Sequence, residues 1–183
     1  MSRSRIDEVL AVARAIIHEY DTVDLAIDLL YATMIPLVED YLEKEYDEAY
    51  RQWIYADPDA IARNEAIYSE VGGKTFADRL KEYDLDEYET RLAALLETDG
   101  HRIRSEGTLA AGQVMHDAGL TVTKTWRGVY DEKERDAHLA LEGVTVPYDG
   151  YFEVDGYRAK APGLFGVAEL DCNCRCELTL GIS

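Results

Sequence analysis

Basic residues are scarce in this chain of 183 residues, which has 19 lysines and arginines against 37 aspartates and glutamates and a formal net charge of −18. A surface with such an acid excess repels phosphate, so the composition argues against general nucleic-acid binding. The excess is concentrated at the front, because residues 1–100 hold 24 of the 37 acidic residues. Hydrophobic residues make up 47% of the chain, which is typical of a folded globular protein.

Long apolar runs and disulfide frameworks are missing as well. No stretch approaches the roughly 20 apolar residues that cross a bilayer, and no apolar region follows the charged start. The three cysteines, Cys172, Cys174 and Cys176, are too few and too crowded for a set of disulfides. Glycine-rich phosphate loops and the His-Glu-x-x-His motif are also absent. We therefore expect a protein made in a reducing cytoplasm, without a membrane partner.

The first hundred residues have helical periodicity. Apolar side chains recur at a spacing of three and four within residues 6–17 and again within residues 25–42, where Pro36 predicts a kink. Asp57-Pro58 predicts a helix start, Gly72-Gly73 a break, and residues 83–96 a further helix. Nine of the thirteen tyrosines lie here. We expect most of their rings to pack along helix flanks with hydroxyls in water, the alternative being a tyrosine-rich partner-binding face.

The pattern changes after residue 100. We expect one more helix over residues 101–117, a short helix over 131–141, and strands over 120–126, 144–146 and 174–180. Residues 151–160 predict a β-hairpin with a two-residue Asp155-Gly156 turn. The predicted fold class is α+β: an acidic helical arm (residues 1–100) followed by a small α+β domain with an antiparallel sheet (residues 101–183).

The crowded cysteines suggest a metal site. Alternate side chains of an extended strand share a face, so Cys172, Cys174 and Cys176 would line up, and His138 could complete a set of zinc ligands. The spacing differs from the paired Cys-x-x-Cys knuckles of most zinc sites. The alternative is that the cysteines are small buried apolar side chains and that His138 is a hydrogen-bonded core histidine.

A catalytic role is the second hypothesis for this region. Asp131, Arg135 and His138 fall roughly on one side of the predicted helix. A nuclease or toxin-like enzyme could use His138 and Arg135 together with Glu106 and a cysteine. The sequence shows neither a cysteine close to His138 nor an opening for a substrate, and a small zinc-stabilised binding module is a third alternative.

A series of short motifs follows a fixed order in the second half of the chain. They are Arg104-Ser105-Glu106, Lys124-Thr125-Trp126, Asp131, Arg135-Asp136-Ala137-His138, Leu141-Glu142-Gly143, Phe152, Pro162 and Asn173-Cys174-Arg175-Cys176. This order resembles the Mu F-like minor head proteins of tailed phages, also called head morphogenesis proteins. Cys172 is an addition to the family pattern, and the stretch rich in proline is reduced to Ala161-Pro162-Gly163.

The resemblance implies a non-enzymatic virion component that is made in the host cytoplasm and resides inside the head near the portal vertex. Its implied partners are the portal or the major capsid protein. A contact with packaged DNA would be confined to a small basic patch, made of Arg102, Arg104, Lys124, Arg127 and Lys133.

The signature residues are then expected to act as a scaffold. Trp126, Leu141 and Phe152 would form the apolar core of the C-terminal domain. A polar network would fix how its helix packs on the sheet, and its members are Arg104, Glu106, Asp131, Arg135 and His138. If Arg135 neutralises a buried carboxylate, Arg135→Ala should destabilise the fold by several kcal/mol.

Overall fold

The fold consists of packed helices followed by two small antiparallel sheets. The structure is a computed structural model that describes residues 3–19, 23–129 and 134–183, with the side chains of residues 23–26 excluded. In chain order its elements are α1 (Arg3–Glu19), α2 (Val23–Arg51), α3 (Ala60–Ile67), α4 (Phe76–Lys81), α5 (Tyr88–Asp117), β1 (Val122–Arg127), α6 (Asp136–Leu139), β2 (Thr145–Pro147), β3 (Phe152–Val154), β4 (Tyr157–Ala159), α7 (Ala168–Asp171) and β5 (Glu177–Ile182). The predicted α+β class is confirmed.

The long helices α2 and α5 pack along each other, and α1 packs on both. Helix α2 continues through Pro36. Two glycines of α5 allow the close approach: a Cβ on Gly100 would lie 2.5 Å from the Tyr41 hydroxyl, and one on Gly107 would meet the Tyr46 carbonyl oxygen. Buried apolar side chains of these helices and of α3 and α4, from Ile6 to Ile103, form one cluster, which we call the helical core.

Four tyrosines of residues 1–100 are buried in the protein interior. For these four, the expectation that the ring lies along a helix flank with its hydroxyl in water is wrong. Tyr41, Tyr46, Tyr50 and Tyr88 are buried. The Tyr41 hydroxyl donates to the Leu96 carbonyl at 3.2 Å, and burial raises the pKa of Tyr46 to about 12. Tyr55, in contrast, is fully exposed.

The short helices α3 and α4 begin at capping residues. Asp59 caps α3 by accepting hydrogen bonds from the backbone amides of Ile61 and Ala62, each at 2.9 Å, so the predicted start at Asp57-Pro58 is two residues early. Thr75 and Asp78 form a reciprocal capping box on α4. The predicted break at Gly72-Gly73 is confirmed, with both residues at positive φ.

Helix α5 replaces two predicted helices. Residues 83–96 and 101–117 were expected as separate segments, but Tyr88–Asp117 is one helix of 30 residues that runs through residue 100, the end of the proposed helical arm. Gly100 therefore lies in a helix interior. The close contact with Tyr41 explains why a glycine occupies this position. The helical core ends at Ile103 on this helix, and a second cluster, which we call the sheet core, begins at Leu109 and continues to Leu180.

The C-terminal sheet has the order β2-β1-β5, and all of its pairs are antiparallel. In β1 the buried side chains alternate, so Val122, Lys124 and Trp126 face the interior. The predicted hairpin is confirmed as β3 and β4, joined by Asp155 and Gly156 with φ values of 51° and 82°, as a two-residue turn of this hand requires.

The segment of residues 172–176, the cysteine segment, is not the extended strand that was expected. Cys172 follows the last residue of α7, Asn173 adopts a left-handed φ of 55°, and β5 begins only at Glu177. The three thiols therefore do not share one strand face. Within the described ranges, no helix is both long and apolar enough to span a membrane.

Candidate functional site

Trp126 lies at the centre of the sheet core. Its ring is fully buried and makes edge or tilted contacts with His138, Phe152 and Phe165 at centroid distances of 5.5, 5.3 and 5.8 Å. Leu141 and Phe152 belong to the same buried cluster. The three residues proposed as the apolar core of the C-terminal domain are thus brought together around one indole ring.

His138 and two cysteines form a buried cluster beside that ring. The Nδ1 atom of His138 lies 3.4 Å from Cys176 Sγ and 3.8 Å from Cys174 Sγ, and all three atoms lie within 4.8 Å of one another. His138 is 2% exposed, and the two thiols are equally buried. Cys172 is exposed and stands apart from this group. Of the four residues proposed as metal ligands, the structure brings three together.

The cysteine segment is positioned by Asp171, a residue that the sequence did not single out. Its carboxylate accepts hydrogen bonds from three successive backbone amides, those of Phe165, Gly166 and Val167, at 3.0, 2.6 and 3.2 Å. The Asp171 carbonyl then accepts from the Cys174 amide at 3.1 Å. These bonds close the loop before β5 and direct Cys174 and Cys176 towards α6.

The two buried thiols influence each other's ionisation. A hydrogen bond between them raises the pKa of Cys176, and burial adds to this effect. The same hydrogen bond lowers the pKa of Cys174, against the opposing effect of burial.

Lys124 is a fully buried cation in the middle of β1. Its ammonium donates to the carbonyls of Gly150 and Lys160 at 2.9 and 3.0 Å and lies over the rings of Tyr148 and Phe152. Burial lowers the pKa of Lys124 to about 8. The lysine of the Lys-x-Trp motif therefore connects the sheet to two loops from inside the protein.

Arg104 pairs with a residue from the other half of the chain. Its guanidinium lies 3.1 Å from Glu45, a carboxylate of α2 with no exposed side-chain surface, which also contacts Arg5 at 3.3 Å. Glu106 follows Arg104 by two residues, on a different flank of α5, and faces Arg102 and Lys160, and burial raises its pKa. Neither residue is recorded in contact with His138.

Arg135 precedes α6 and donates to the backbone carbonyl of Cys172. The described members of the proposed network lie in separate sets: Arg104 with Glu45, Glu106 with Arg102 and Lys160, Arg135 with the cysteine segment, and His138 with the two thiols. Asp131 lies outside the described residues. Among the described residues, the hydrogen-bond acceptor of Arg135 is a backbone carbonyl, and the effect of Arg135→Ala on stability stays a prediction.

A cavity of about 610 Å³ opens between α5 and the cysteine segment. Its charged walls carry both signs, with Arg104, Arg135 and Arg175 facing Glu97 and Glu177. The imidazole of His101 also borders it, and burial, together with Arg104, lowers the pKa of His101 to about 4. His101 is therefore neutral at physiological pH, and His138 is not part of this wall.

The proposed basic patch for DNA does not form on the described surface. Arg102 is buried and donates to Ser69 Oγ at 2.7 Å and to the Ala66 carbonyl at 3.1 Å. Lys124 is in the interior, and Arg127 lies 3.6 Å from Glu142. Lys133 is outside the described residues. Most of these cations therefore serve internal contacts.

Two buried carboxylates were missed by the sequence analysis. Asp99 is 1% exposed and forms a two-pronged ion pair with Arg79, while Glu45 pairs with Arg104. Each has a signal in the sequence, because it occupies an apolar position of its helix: Asp99 follows Leu95 and Leu96 by four and three residues. A carboxylate at a core position predicts a buried cationic partner.

The family comparison agrees with this arrangement of signature residues. A model of the family described as Phage Mu protein F like protein matches residues 59–179, about two thirds of the chain. The chain therefore belongs to the Mu F-like family, and the resemblance inferred from the ordered motifs is confirmed. No solved structure matches the chain.

Two curated proteins are similar to parts of the chain. The minor head protein GP7 of Bacillus phage SPP1 is 31% identical over 121 residues, which are 65% of this chain and 38% of that protein. The NAD(+)–arginine ADP-ribosyltransferase EFV of Enterococcus faecalis is 36% identical over 89 residues, which are 47% of this chain and 18% of that protein. The matches thus span well under half of either relative.

Proposed function

We propose that the chain is a minor head protein of a tailed phage that acts in head morphogenesis and is not an enzyme. Family membership and the similarity to the SPP1 minor head protein support this role. The proposed location is the inside of the head near the portal vertex. The proposed organisation is an acidic helical arm (residues 1–100) and a signature domain (residues 101–183), with α5 shared between the two.

The observation that carries the proposal is that the signature side chains point into the protein interior. Lys124, Trp126 and His138 are at most 2% exposed, and each contacts other parts of the fold. A catalytic group must reach its substrate, whereas these groups hold a sheet, two loops and a short helix together. Residues used in this way fit an assembly component whose function depends on its shape.

The surface chemistry favours a protein partner. The helical arm carries most of the acidic excess. Some of its acidic side chains surround a surface depression of about 560 Å³, whose lining includes Tyr31, Asp84, Leu85 and Asp86. Acidic rims around apolar groups suit basic loops of a partner, because charge directs the encounter and apolar contact holds it. The proposed partner is the portal ring or the inner surface of the major capsid protein.

An enzymatic role is the alternative that the structure favours less. The similarity to the ADP-ribosyltransferase covers 18% of that protein, and His138 is enclosed by Trp126 and two thiols. A direct test incubates the full chain with labelled NAD⁺ and an arginine-rich acceptor, and separately with DNA. We expect no transfer and no cleavage, and a turnover abolished by His138→Ala in a folded variant would overturn the non-enzymatic assignment.

The decisive experiment asks whether the chain enters heads. The full chain is co-expressed with the portal and major capsid proteins encoded in the same genome, and assembled particles are purified and analysed by mass spectrometry and imaging. We expect the chain in few copies at one vertex. Removal of residues 1–70 is a poor test, because α1 and α2 cover α5 and their loss would expose the helical core.

A point variant gives a sharper test of the helical arm. Asp86→Lys reverses a charge on the acidic rim, and Glu169→Lys makes the same change on an exposed position of α7. We expect the first to reduce incorporation several-fold and the second to leave it unchanged. Equal incorporation of both variants would contradict docking through the helical arm, and absence of the unsubstituted chain from all particles would contradict the minor head role.

A further inference from the structure

We propose that His138, Cys174 and Cys176 bind one zinc ion that holds helix α6 against the cysteine segment. This inference is independent of the head function. It rests on the convergence of three ligand atoms from two distant parts of the sequence, and none of the comparisons with known proteins assigns a metal to the chain.

The two distances from the imidazole nitrogen to the sulfurs match the edges of a zinc tetrahedron, and all three atoms lie within 4.8 Å of one another. Zinc lies about 2.3 Å from thiolate sulfur and about 2.0–2.1 Å from imidazole nitrogen, so tetrahedral geometry separates sulfur from nitrogen by about 3.6 Å. The observed distances from His138 Nδ1 are 3.4 and 3.8 Å. Both nitrogen–sulfur edges therefore agree with a bound zinc ion to within a few tenths of an ångström.

The chemistry of the three atoms selects zinc over harder cations. Two thiolates and an imidazole suit zinc, whereas magnesium and calcium prefer oxygen ligands. The fourth position can be filled by Glu134, whose Oε1 lies 3.4 Å from Cys176 Sγ, or by a water molecule. That distance again matches a tetrahedral edge between a zinc-bound sulfur and a zinc-bound oxygen.

The position of the cluster indicates a structural role. Helix α6 has only four residues and contacts Trp126 through His138, and the cysteine segment has no strand hydrogen bonds until β5 begins at Glu177. Short elements of this kind depend on cross-links, because few backbone bonds fix them. A bound zinc would join them at the centre of the sheet core.

Metal analysis distinguishes a bound zinc ion from a metal-free hydrogen-bonded cluster and from a Cys174–Cys176 disulfide. The full chain is purified under reducing conditions without added metal or chelator, and zinc is measured by mass spectrometry. We expect one zinc per chain, lost in Cys174→Ser and Cys176→Ser and retained in Cys172→Ser. Cys172 is the matched control because it is a neighbouring cysteine outside the cluster.

A second measurement does not depend on variants that fail to fold. The unsubstituted chain and Cys172→Ser are stripped of metal and titrated with Co²⁺, which absorbs strongly when thiolates bind it in a tetrahedral site. We expect the same thiolate-to-cobalt band in both, saturating at one equivalent. Glu134→Gln tests the fourth ligand, because a changed visible spectrum at equal stoichiometry assigns it to Glu134 and an unchanged one assigns it to water.

Three results would overturn the proposal. The first is the absence both of zinc from the purified chain and of a cobalt band on titration. The second is a disulfide between Cys174 and Cys176 in the reduced preparation. The third is loss of the metal in folded Cys172→Ser, because that thiol lies outside the cluster.

Discussion

The helical core and the sheet core are stabilised in different ways, although α5 contributes to both. The helical core is built from apolar stripes on long helices and includes buried carboxylates, Glu45 and Asp99, that are paired with arginines. The sheet core buries a cation, an imidazole and two thiols, whose partners are backbone carbonyls and one another. The buried carboxylates Glu45 and Asp99 are thus paired with arginines in one half, whereas the buried ammonium of Lys124 is hydrogen-bonded by backbone carbonyls in the other.

This difference shows where each half is vulnerable. Long amphipathic helices distribute their stability over many apolar contacts, so the loss of one polar partner matters mainly where it leaves a charge without compensation. The sheet core has short strands and loops, and each of its polar residues connects several segments. We therefore expect charge removal to damage the helical core most, and changes of pH or metal to affect the sheet core selectively.

The largest expected effect is that of Arg79→Ala. The substitution leaves the Asp99 carboxylate, which is 1% exposed, without its two-pronged partner. We expect a loss of about 3–5 kcal/mol in the free energy of unfolding, as for other broken buried pairs. Arg91→Ala is the control, because its pair with Glu87 is about 60% exposed on both sides and its loss should cost under about 1 kcal/mol. Urea unfolding of both variants measures the difference, and equal losses would contradict the assignment.

Gly107→Ala tests the close packing of α5 on α2. Alanine is the better helix former by about 1 kcal/mol, but its Cβ would meet the Tyr46 carbonyl oxygen, a backbone atom that cannot rotate away. We expect overpacking to dominate, with a net loss of about 2 kcal/mol. Thr90→Ala, at an exposed position of the same helix, should instead be neutral or slightly stabilising. A stabilised Gly107→Ala in thermal unfolding would show that the two helices are less tightly packed.

Lys124 should make the free energy of unfolding rise with pH in the alkaline range. Its folded-state pKa of about 8 is below its ordinary value of 10.5, so the unfolded chain binds more protons between these values and stability rises with pH through this window. We expect the stability of the unsubstituted protein relative to Lys124→Met to increase by about 1–2 kcal/mol from pH 7.5 to 9.5. Urea unfolding at several pH values measures this. A constant difference would show that the buried ammonium keeps its ordinary pKa.

Arg135→Ala has the smallest expected effect of this set. Its side chain donates to the Cys172 carbonyl of the cysteine segment and is partly exposed. We expect a loss of about 1 kcal/mol, in the range of one hydrogen bond. Arg158→Ala, whose pair with Glu153 is largely exposed, should change stability less. A loss of several kcal/mol in Arg135→Ala would show that it neutralises a buried acid.

Sequence patterns predicted much of the fold because they reflect local physics. The apolar stripes gave the helices of the first half, and the Asp155-Gly156 pair gave the hairpin, because each depends on spacing or turn geometry within a few residues. Two predictions were wrong because tertiary packing outweighed the local sequence pattern. Residue 100 was interpreted as a boundary between two helices, but Gly100 lies inside α5 and contacts Tyr41. The alternating cysteines were interpreted as a strand, although Asp171 and Asn173 build a turn there.

The residue types of the candidate site were also visible in the sequence, but their partners were not. The ordered motifs identified the family and singled out Trp126, His138 and the cysteines, because residue identity and chain order are properties of the sequence itself. Only the tertiary structure decided that Arg104 pairs with Glu45, that Lys124 is buried, and that Cys172 lies apart from His138. These outcomes depend on which distant segments share the interior, where a charge or thiol must find a partner, and no local pattern specifies that choice.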